Sequence, residues 1–224
     1  MSETKPIFYR RDLPHIHPKD AIFFITFRLV DSVPADVLQR LQQERDDAIK
    51  QLEKKLRGKE LDEEKYKAEK RHFGRLDDWL DRASTGPQWL KEERIARIVA
   101  GKIHELDGKR YRLIAYCIMS NHVHLLFDTT GYNESTATNI AGKTKDYPFA
   151  DTMRLLKGST SRFCNLELNR TGAFWQKESY DHYVRDDDEL YRIVEYILNN
   201  PVKAGLVKYW QDWKFSYLNV AHHL

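Results

Sequence analysis

Two apolar segments, Tyr111–Met119 and His122–Phe127, are separated by only two residues, Ser120-Asn121. Both are built from β-branched, aromatic and aliphatic residues, and so short a connection between two β-formers predicts an antiparallel hairpin. The remaining elements have to be arranged around it. Upstream, Ala21–Val30 reads as a third strand, with Phe23, Ile25 and Phe27 on one face and Phe24, Thr26 and Arg28 on the other. Ile95, Ile98, Val99, Ile103 and Leu106 mark one face of an amphipathic helix, and Asp107-Gly108 turns the chain into the hairpin. Downstream, Met153–Leu168 is helical and Phe174–Val184 contains a strand rich in Tyr and Trp. Asp186-Asp187-Asp188 opens a last helix, about Glu189 to Asn199, as acidic residues should at a helix N-terminus, and Pro201 closes it.

From Pro34 to about Arg82 the composition changes to Glu, Lys, Arg, Asp and Gln. Leu38, Leu41, Ile49, Leu52 and Leu56 recur at helical spacing, Gly58 supplies a C-cap, and a second helical stretch ends near Trp79-Leu80. Charges of both signs alternate, so this segment reads as a solvated helical hairpin rather than a dedicated nucleic-acid arm. Ser84-Thr85-Gly86-Pro87 breaks it off, and Gly131–Tyr147 is polar and turn-rich, a loop. Removing the insertion leaves strand, helix, strand, strand, helix, strand, helix. That order predicts an α+β fold, a ferredoxin-like split βαβ antiparallel sheet with an added C-terminal helix and a charged helical insertion. At 224 residues the chain is expected to be one domain, 1–224, with the insertion at about 34–85.

Composition narrows the class further. The longest apolar run, Ala21 to Phe27, is far short of the ~20 residues a spanning helix needs, and Met1–Arg11 lacks the apolar stretch of a signal peptide. Two cysteines, Cys117 and Cys164, make no disulfide framework, so a reducing cytoplasm is the expected setting. A net charge of +3 leans towards a polyanionic partner without requiring one.

Two places carry chemistry. Within Asn121-His122-Val123-His124-Leu125-Leu126, strand alternation puts His122 and His124 on one face and Val123 and Leu125 in the core. Two imidazoles side by side on a rigid strand can grip one metal ion or one phosphate, although His-x-His is also common on sheets with no function. His15-Ile16-His17 repeats the pattern between Pro14 and Pro18, in an extended arm outside any sheet where nothing fixes the rings. A histidine-triad hydrolase would need a third His where Leu126 stands, and the His-Glu-x-x-His of a zinc protease is absent. On the last helix, Leu190, Ile193, Val194 and Ile197 form the buried stripe. Tyr196 and Asn200, four residues apart, share one shoulder of it, and Tyr191 with Glu195 makes a rival pair on the other. Geometry alone does not choose between them.

Five stretches together resemble one family: Leu13-Pro14-His15-Ile16-His17-Pro18, Phe24-Ile25-Thr26-Phe27-Arg28-Leu29, Met119-Ser120-Asn121-His122-Val123-His124-Leu125-Leu126, Phe174-Trp175-Gln176-Lys177, and the run from Tyr196 through Asn199-Asn200-Pro201-Val202-Lys203-Ala204-Gly205-Leu206-Val207. They occur in the order found in HUH single-tyrosine transposases of the IS200-like type, and resemble most the REP-associated tyrosine transposases. The resemblance implies that His122 and His124 are metal ligands, that Tyr196 is the nucleophile, and that Asn200 stands where relatives place a polar third ligand, often Gln. The preference for Tyr196 over Tyr191 comes from the resemblance.

What the family implies is a metal-dependent transesterase that cuts and rejoins single-stranded DNA beside hairpins through a 5′-phosphotyrosine, with Mg²⁺ or Mn²⁺ as the cofactor. Such a chemistry suits these residues, since a phenol of pKa ≈ 10 is a weak nucleophile towards an anionic phosphodiester without a divalent cation. The expected partner is hairpin-bearing single-stranded DNA, REP-like or a transposon end, met in the cytoplasm at the nucleoid by a monomer, with a homodimer as the alternative. Arg154, Lys157, Arg162 and Lys177 are candidates for phosphate contacts and Trp175 for base stacking. Two rival readings remain: a hairpin-DNA binding protein that does not cut, and a metal phosphodiesterase using water, in which Tyr196 is structural.

Overall fold

The computed structural model describes residues 7–10, 14–18, 20–83, 85–132 and 148–220, with side chains from position 18 onward except at 148. Its centre is a five-stranded antiparallel sheet made of β3 (Ile22–Arg28), β4 (Arg112–Ile118), β5 (His122–Asp128), β6 (Tyr180–Tyr183) and β7 (Ser216–Leu218). The spatial order is β6-β3-β5-β4-β7. Without β7, the four longer-range strands run fourth, first, third, second, which is the ferredoxin-like order expected from the element sequence. The hairpin of β4 and β5 pairs Ile118 with Val123, and β3 lies along the other side of β5 with Thr26 opposite His124 and Arg28 opposite His122.

The pleat sends alternate residues to two different cores. Phe23, Ile25, Phe27, Val123, Leu125 and Phe127 meet α3 (Glu93–Leu106) and α4 (Pro148–Glu167) on one face. Phe24, Ile114, Cys117 and Leu126 meet α5 (Asp187–Lys203) on the other, together with Phe73 from the insertion. His122 and His124 belong to this second face. Burying both faces of β5 explains why it reads as an almost continuous apolar run interrupted only by its histidines.

The insertion forms α1 (Ala35–Lys55) and α2 (Gly58–Arg82), joined by Leu56-Arg57 with the left-handed φ of 57° at Gly58 itself. It is stitched where it leaves and rejoins the domain: a Cβ at Gly86, φ 73°, would sit 2.1 Å from the Asp31 carbonyl oxygen, so only glycine fits. Reading it as a solvated hairpin holds for its tip alone. Val37 and Leu41 of α1 and Ala68, Phe73, Asp77 and Leu80 of α2 are buried, so the near half lies on the sheet.

Three further details differ from the sequence reading. Pro14–His17 is β2, paired with β1 (Ile7–Arg10) in a two-stranded sheet rather than a lone extended arm. Pro201 does not end α5, which runs on to Lys203. A proline this close to the end removes one amide hydrogen bond, and the helix stops instead at Gly205, φ 70°, where Leu206 N–H reaches Pro201 O and Gly205 N–H reaches Val202 O. β7 is three residues long, too short for any periodicity to show. The loop expected at 131–147 lies outside the described residues from position 133. No helix among the described residues is long and apolar enough to cross a membrane.

The insertion is fastened to the start of α5 by one carboxylate. Glu189 Oε1 accepts from Tyr66 Oη at 2.5 Å and Lys70 Nζ at 2.7 Å on α2, while Oε2 faces His182 Nε2 at 3.0 Å and the Arg185 amide at 3.1 Å. Burial alone would raise its pKa, but the bonds from His182, Lys70 and Tyr66 outweigh that and hold it well below the usual carboxylate range. A depressed folded-state pKa contributes stability that is present above the unfolded value of about 4.3 and is lost as the pH falls through the folded one. Glu189→Gln is therefore expected to lower stability at pH 7 by about 1–3 kcal/mol and to flatten the acid limb of a plot of melting temperature against pH between 7 and 2. Parallel acid limbs for variant and wild type would show that Glu189 carries no such linkage.

Candidate active site

The site is built on β5 and starts from a buried asparagine. Asn121 Nδ2 donates to Leu80 O at 3.1 Å, at the end of α2, which fixes its Oδ1 towards His122 Nδ1 at 2.7 Å. An amide oxygen only accepts, so His122 carries its proton on Nδ1 and leaves the Nε2 lone pair free. His124 Nδ1 meets Thr26 Oγ1 at 2.7 Å from the neighbouring strand, which directs its Nε2 in the same way. The two Nε2 atoms then lie 3.1 Å apart, both imidazoles fully buried. Desolvation pushes both pKa values down to about 3, with His124 adding to the effect on His122 and Lys203 to that on His124. Both rings are thus neutral at pH 7, and the His122 Nε2 lone pair faces His124 Nε2 at hydrogen-bond distance, where a proton or a cation can be shared.

A carboxylate from the insertion completes this arrangement. Asp77 Oδ1 is 3.4 Å from His124 Nε2 and 4.0 Å from His122 Nε2, and it has no hydrogen-bond partner. Among the described residues Asp77, His122 and His124 are the one group of histidine, cysteine and acidic side chains whose donor atoms converge closely enough to hold a metal ion. A carboxylate oxygen left without a partner beside two neutral imidazoles, all out of water, favours a cation among them. The donor set, two imidazole nitrogens and one or two oxygens, fits a first-row or hard divalent ion such as Mn²⁺ or Mg²⁺.

Tyr196 comes to the same place from α5. Its ring centroid is 5.4 Å from that of His124, it packs edge-on against Phe24, and its hydroxyl donates to Asp77 Oδ2. Asp77 therefore has one oxygen towards the histidines and the other on the phenol. Burial raises the phenol pKa strongly, and the nearby Asp77 charge adds to it, so the hydroxyl stays protonated. Asp77 itself is pushed up by burial, against the opposing pull of His122 and the Tyr196 hydrogen bond. One turn after Tyr196, Asn200 is 1% exposed and neither polar atom of its amide has a partner. Tyr191, the rival on the helical wheel, is 48% exposed, so α5 separates the two tyrosines.

Lys203 closes the rim, with Nζ 2.8 Å from Asp78 Oδ1 and 3.0 Å from Asp81 Oδ2. Asp81, pushed up to about 6 by burial and by Asp77, stands 3.9 Å from His122 Nε2.

The candidates for DNA contact lie elsewhere. Trp175 is buried, edge-on to Phe27, with its indole N–H on Thr160 Oγ1 at 2.8 Å, so it is a core residue without a free face for a base. Arg154, paired with Asp151, and Arg162, beside the Phe163 ring, are on α4, which covers the face of the sheet opposite the histidines. Lys157 is spent on the carbonyls of Gln176 and Lys177 and on Ser179 Oγ, and Lys177 is exposed. None of the five joins the histidine cluster. Asp77, Asn121 and Thr26 are the site residues that sequence reasoning missed. Asp77 had a signal: with Phe73 and Leu80 it falls at i, i+4 and i+7, an acid on the apolar stripe of α2.

With this geometry in place, comparison with known proteins adds relatives. The chain is 31% identical over 106 residues to a provisionally named REP-associated tyrosine transposase of Haemophilus influenzae, covering 47% of this chain and 58% of the relative. It is 34% identical over 71 residues to the REP-associated tyrosine transposase of Escherichia coli strain K12, covering 32% and 40%. It is similar to the REP-associated tyrosine transposases. The matched stretches span about half the length of these curated relatives. The solved structure of a REP-associated tyrosine transposase bound to a REP hairpin superposes with a TM-score of 0.50 at 17% identity, over 96% of this chain and 82% of that one, so the chain shares that fold. No family model matches.

If the histidines and Asp77 form a metal site, Mn²⁺ titrated into the protein should bind once per chain. His122→Ala or His124→Ala should abolish binding by calorimetry, and Asn121→Ala should weaken it about 10–100-fold through the freed ring. Comparing Asp77→Asn with Asn200→Ala identifies the oxygen ligand, and an unchanged affinity in all five variants would exclude the site.

Proposed function

We propose that this chain is a metal-dependent single-strand DNA transesterase, cutting and rejoining DNA beside hairpins through a 5′-phosphotyrosine at Tyr196. The observation that carries the reading is the single carboxylate of Asp77, which faces the histidine pair with one oxygen and holds the Tyr196 hydroxyl with the other. A nucleophile and a cation site joined through one carboxylate is what in-line attack on a phosphodiester requires. The family likeness, the fold and the intact His122, His124 and Tyr196 support the same conclusion. We take residues 1–224 as one transposase domain, with the insertion at about 34–85 contributing Asp77 to its site.

His122 and His124 with Asp77 would hold Mg²⁺ or Mn²⁺, with Asn200 as the further oxygen. Bound there, the ion would polarise the scissile phosphate and offset its charge beside Asp77 and Asp81. The remaining work belongs to side chains. Asn121 and Thr26 fix the two rings, and Phe24 and Phe73 keep water from the phenol. Asp77 Oδ2 is the base positioned to take the Tyr196 proton as Oη bonds to phosphorus. The P–O3′ bond breaks, the 3′ oxygen leaves as a hydroxyl on taking the proton that Asp77 accepted, and the 5′-phosphate stays on Tyr196. Rejoining reverses these steps at another 3′-hydroxyl and needs no ATP. Lys203 of α5 ties down the end of α2 through a half-exposed ion pair with Asp78 and a second with the largely buried Asp81. The partner is hairpin-bearing DNA with an unpaired strand at the cut, and a monomer contains every group named.

Incubating single-stranded oligonucleotides from repeats flanking the gene with Mn²⁺ should give a slow-migrating covalent adduct on a denaturing gel. Tyr196→Phe and His122→Ala should each reduce it on the order of 10³-fold or more, with hairpin binding by Tyr196→Phe retained. Cleavage persisting in Tyr196→Phe would transfer the nucleophile to water or Tyr191, and hairpin binding with no cleavage by wild type would favour the non-cutting binder.

A further inference from the structure

A cleft of about 70 Å³ opens between the insertion and the β3–β6 side of the sheet, with largely apolar walls that include Leu76, Phe73 and Tyr180 and with polar groups from Thr26, Arg28 and Gln42. One water needs roughly 10–15 Å³ on this scale, so there is room for a group of about five heavy atoms. The cleft runs up to the site already described. Thr26 holds His124, and Arg28 is the cross-strand neighbour of His122 on the same face.

Arg28 is the anomaly in this wall. It is 7% exposed, and its guanidinium makes one hydrogen bond, Nη1 to Ser32 Oγ at 3.2 Å. No carboxylate pairs with it among the described residues. Asp31 is the nearest charge acting on it, and burial outweighs that charge, bringing its pKa down to about 10. A guanidinium has five N–H donors in a planar fork, so four have no partner in the protein and remain for a group entering the cleft. Buried charges of this kind are costly without a partner of opposite sign. The other basic groups nearby are already committed or neutral. Arg45 is paired with Asp46 at 2.8 Å, and burial lowers the pKa of His72. Glu178, half-buried at the mouth, also lines the cleft and would act against a free anion drifting in.

We infer that Arg28 and this cleft form a phosphate subsite, which holds a backbone phosphodiester of the bound strand next to the one being cut. The inference rests on the proposed transesterase reading. A bidentate grip by Arg28, with Gln42 and Ser179 as neutral donors, fixes the register of the strand against Tyr196, as phosphate contacts do elsewhere. It also supplies a cation that none of the five basic or aromatic candidates from the sequence brings to this face of the sheet.

The test is a methylphosphonate scan, in which each phosphate of a hairpin oligonucleotide is neutralised in turn and binding is measured for wild type, Arg28→Gln and Arg28→Lys. One position within a few nucleotides of the cut should weaken wild type about tenfold, have no effect on Arg28→Gln, and have an intermediate effect on Arg28→Lys, which keeps the charge but not the fork. Melting curves establish that each variant is folded, and Arg28→Lys carries the comparison if Arg28→Gln is not. Equal sensitivity of wild type and both variants at every position overturns the subsite while leaving the transesterase reading intact. Stabilisation of wild type, but not Arg28→Gln, by inorganic phosphate together with a flat scan would assign the cleft to free phosphate and overturn the placement of the strand. Absence of single-strand binding by wild type would overturn both readings.

Discussion

Two neutral imidazoles with their Nε2 atoms 3.1 Å apart and no access to water are the constraint around which this protein is built. Each ring would be free to turn if its other nitrogen had no partner. Asn121 and Thr26 prevent that. The asparagine is itself held by Leu80 O, so the tautomer of His122 depends on a backbone carbonyl at the end of the insertion helix. The hairpin turn, the first strand and the insertion thus meet in one hydrogen-bond chain. Its cost in an apolar surround is offset where the two rings share a proton, and a cation at the same point would serve Asp77 as well.

This changes the status of the insertion. A charged helical hairpin set between a first strand and a first helix could be deleted from most folds without consequence, and the outer half of α1 and α2 has that character. The inner half does not. It supplies Leu80 to orient His122 through Asn121, Asp77 to face both histidines, Phe73 to wall in Tyr196, and Asp78 and Asp81 to hold Lys203 of α5. The element that looks most like an addition is the one that finishes the site, and it also covers it.

Much of the fold was legible because it follows two periodicities. The alternation in Ala21–Val30 and the two-residue turn at Ser120-Asn121 place three strands, and the order of the remaining elements gives the ferredoxin-like sheet. His122 and His124 on one face follow from the same alternation. What the sequence did not disclose has physical reasons. In a segment where nearly every second residue is charged, Asp77 looks like any solvated acid, and only its place on the stripe with Phe73 and Leu80 sets it apart. Trp175 beside basic residues suggested a stacking platform, whereas Leu29 bridges to it and the indole completes the core. Pro201 is a plausible helix stop, but the stop that operates is Gly205, because a left-handed φ satisfies the last carbonyls and a proline cannot.

The choice of Tyr196 over Tyr191 shows how the levels combine. Both lie on α5 at positions a helical wheel treats as equivalent shoulders, and the resemblance alone distinguished them. Packing distinguishes them physically: α5 is rolled so that Ile193, Val194 and Ile197 press on β4 and β5, and that roll turns Tyr196 towards His124 while leaving Tyr191 in solvent. The roll is in turn fixed at both ends. Asp186 caps the helix by accepting from the Glu189 amide at 2.7 Å, Glu189 itself is fastened to α2, and the Gly205 turn and Lys203 secure the other end. A nucleophile must be held in line with a phosphorus atom to within fractions of an ångström. Tyr196, placed for that role, stands on a helix clamped at its two termini and meets α2 through the Phe73 ring and the Asp77 carboxylate.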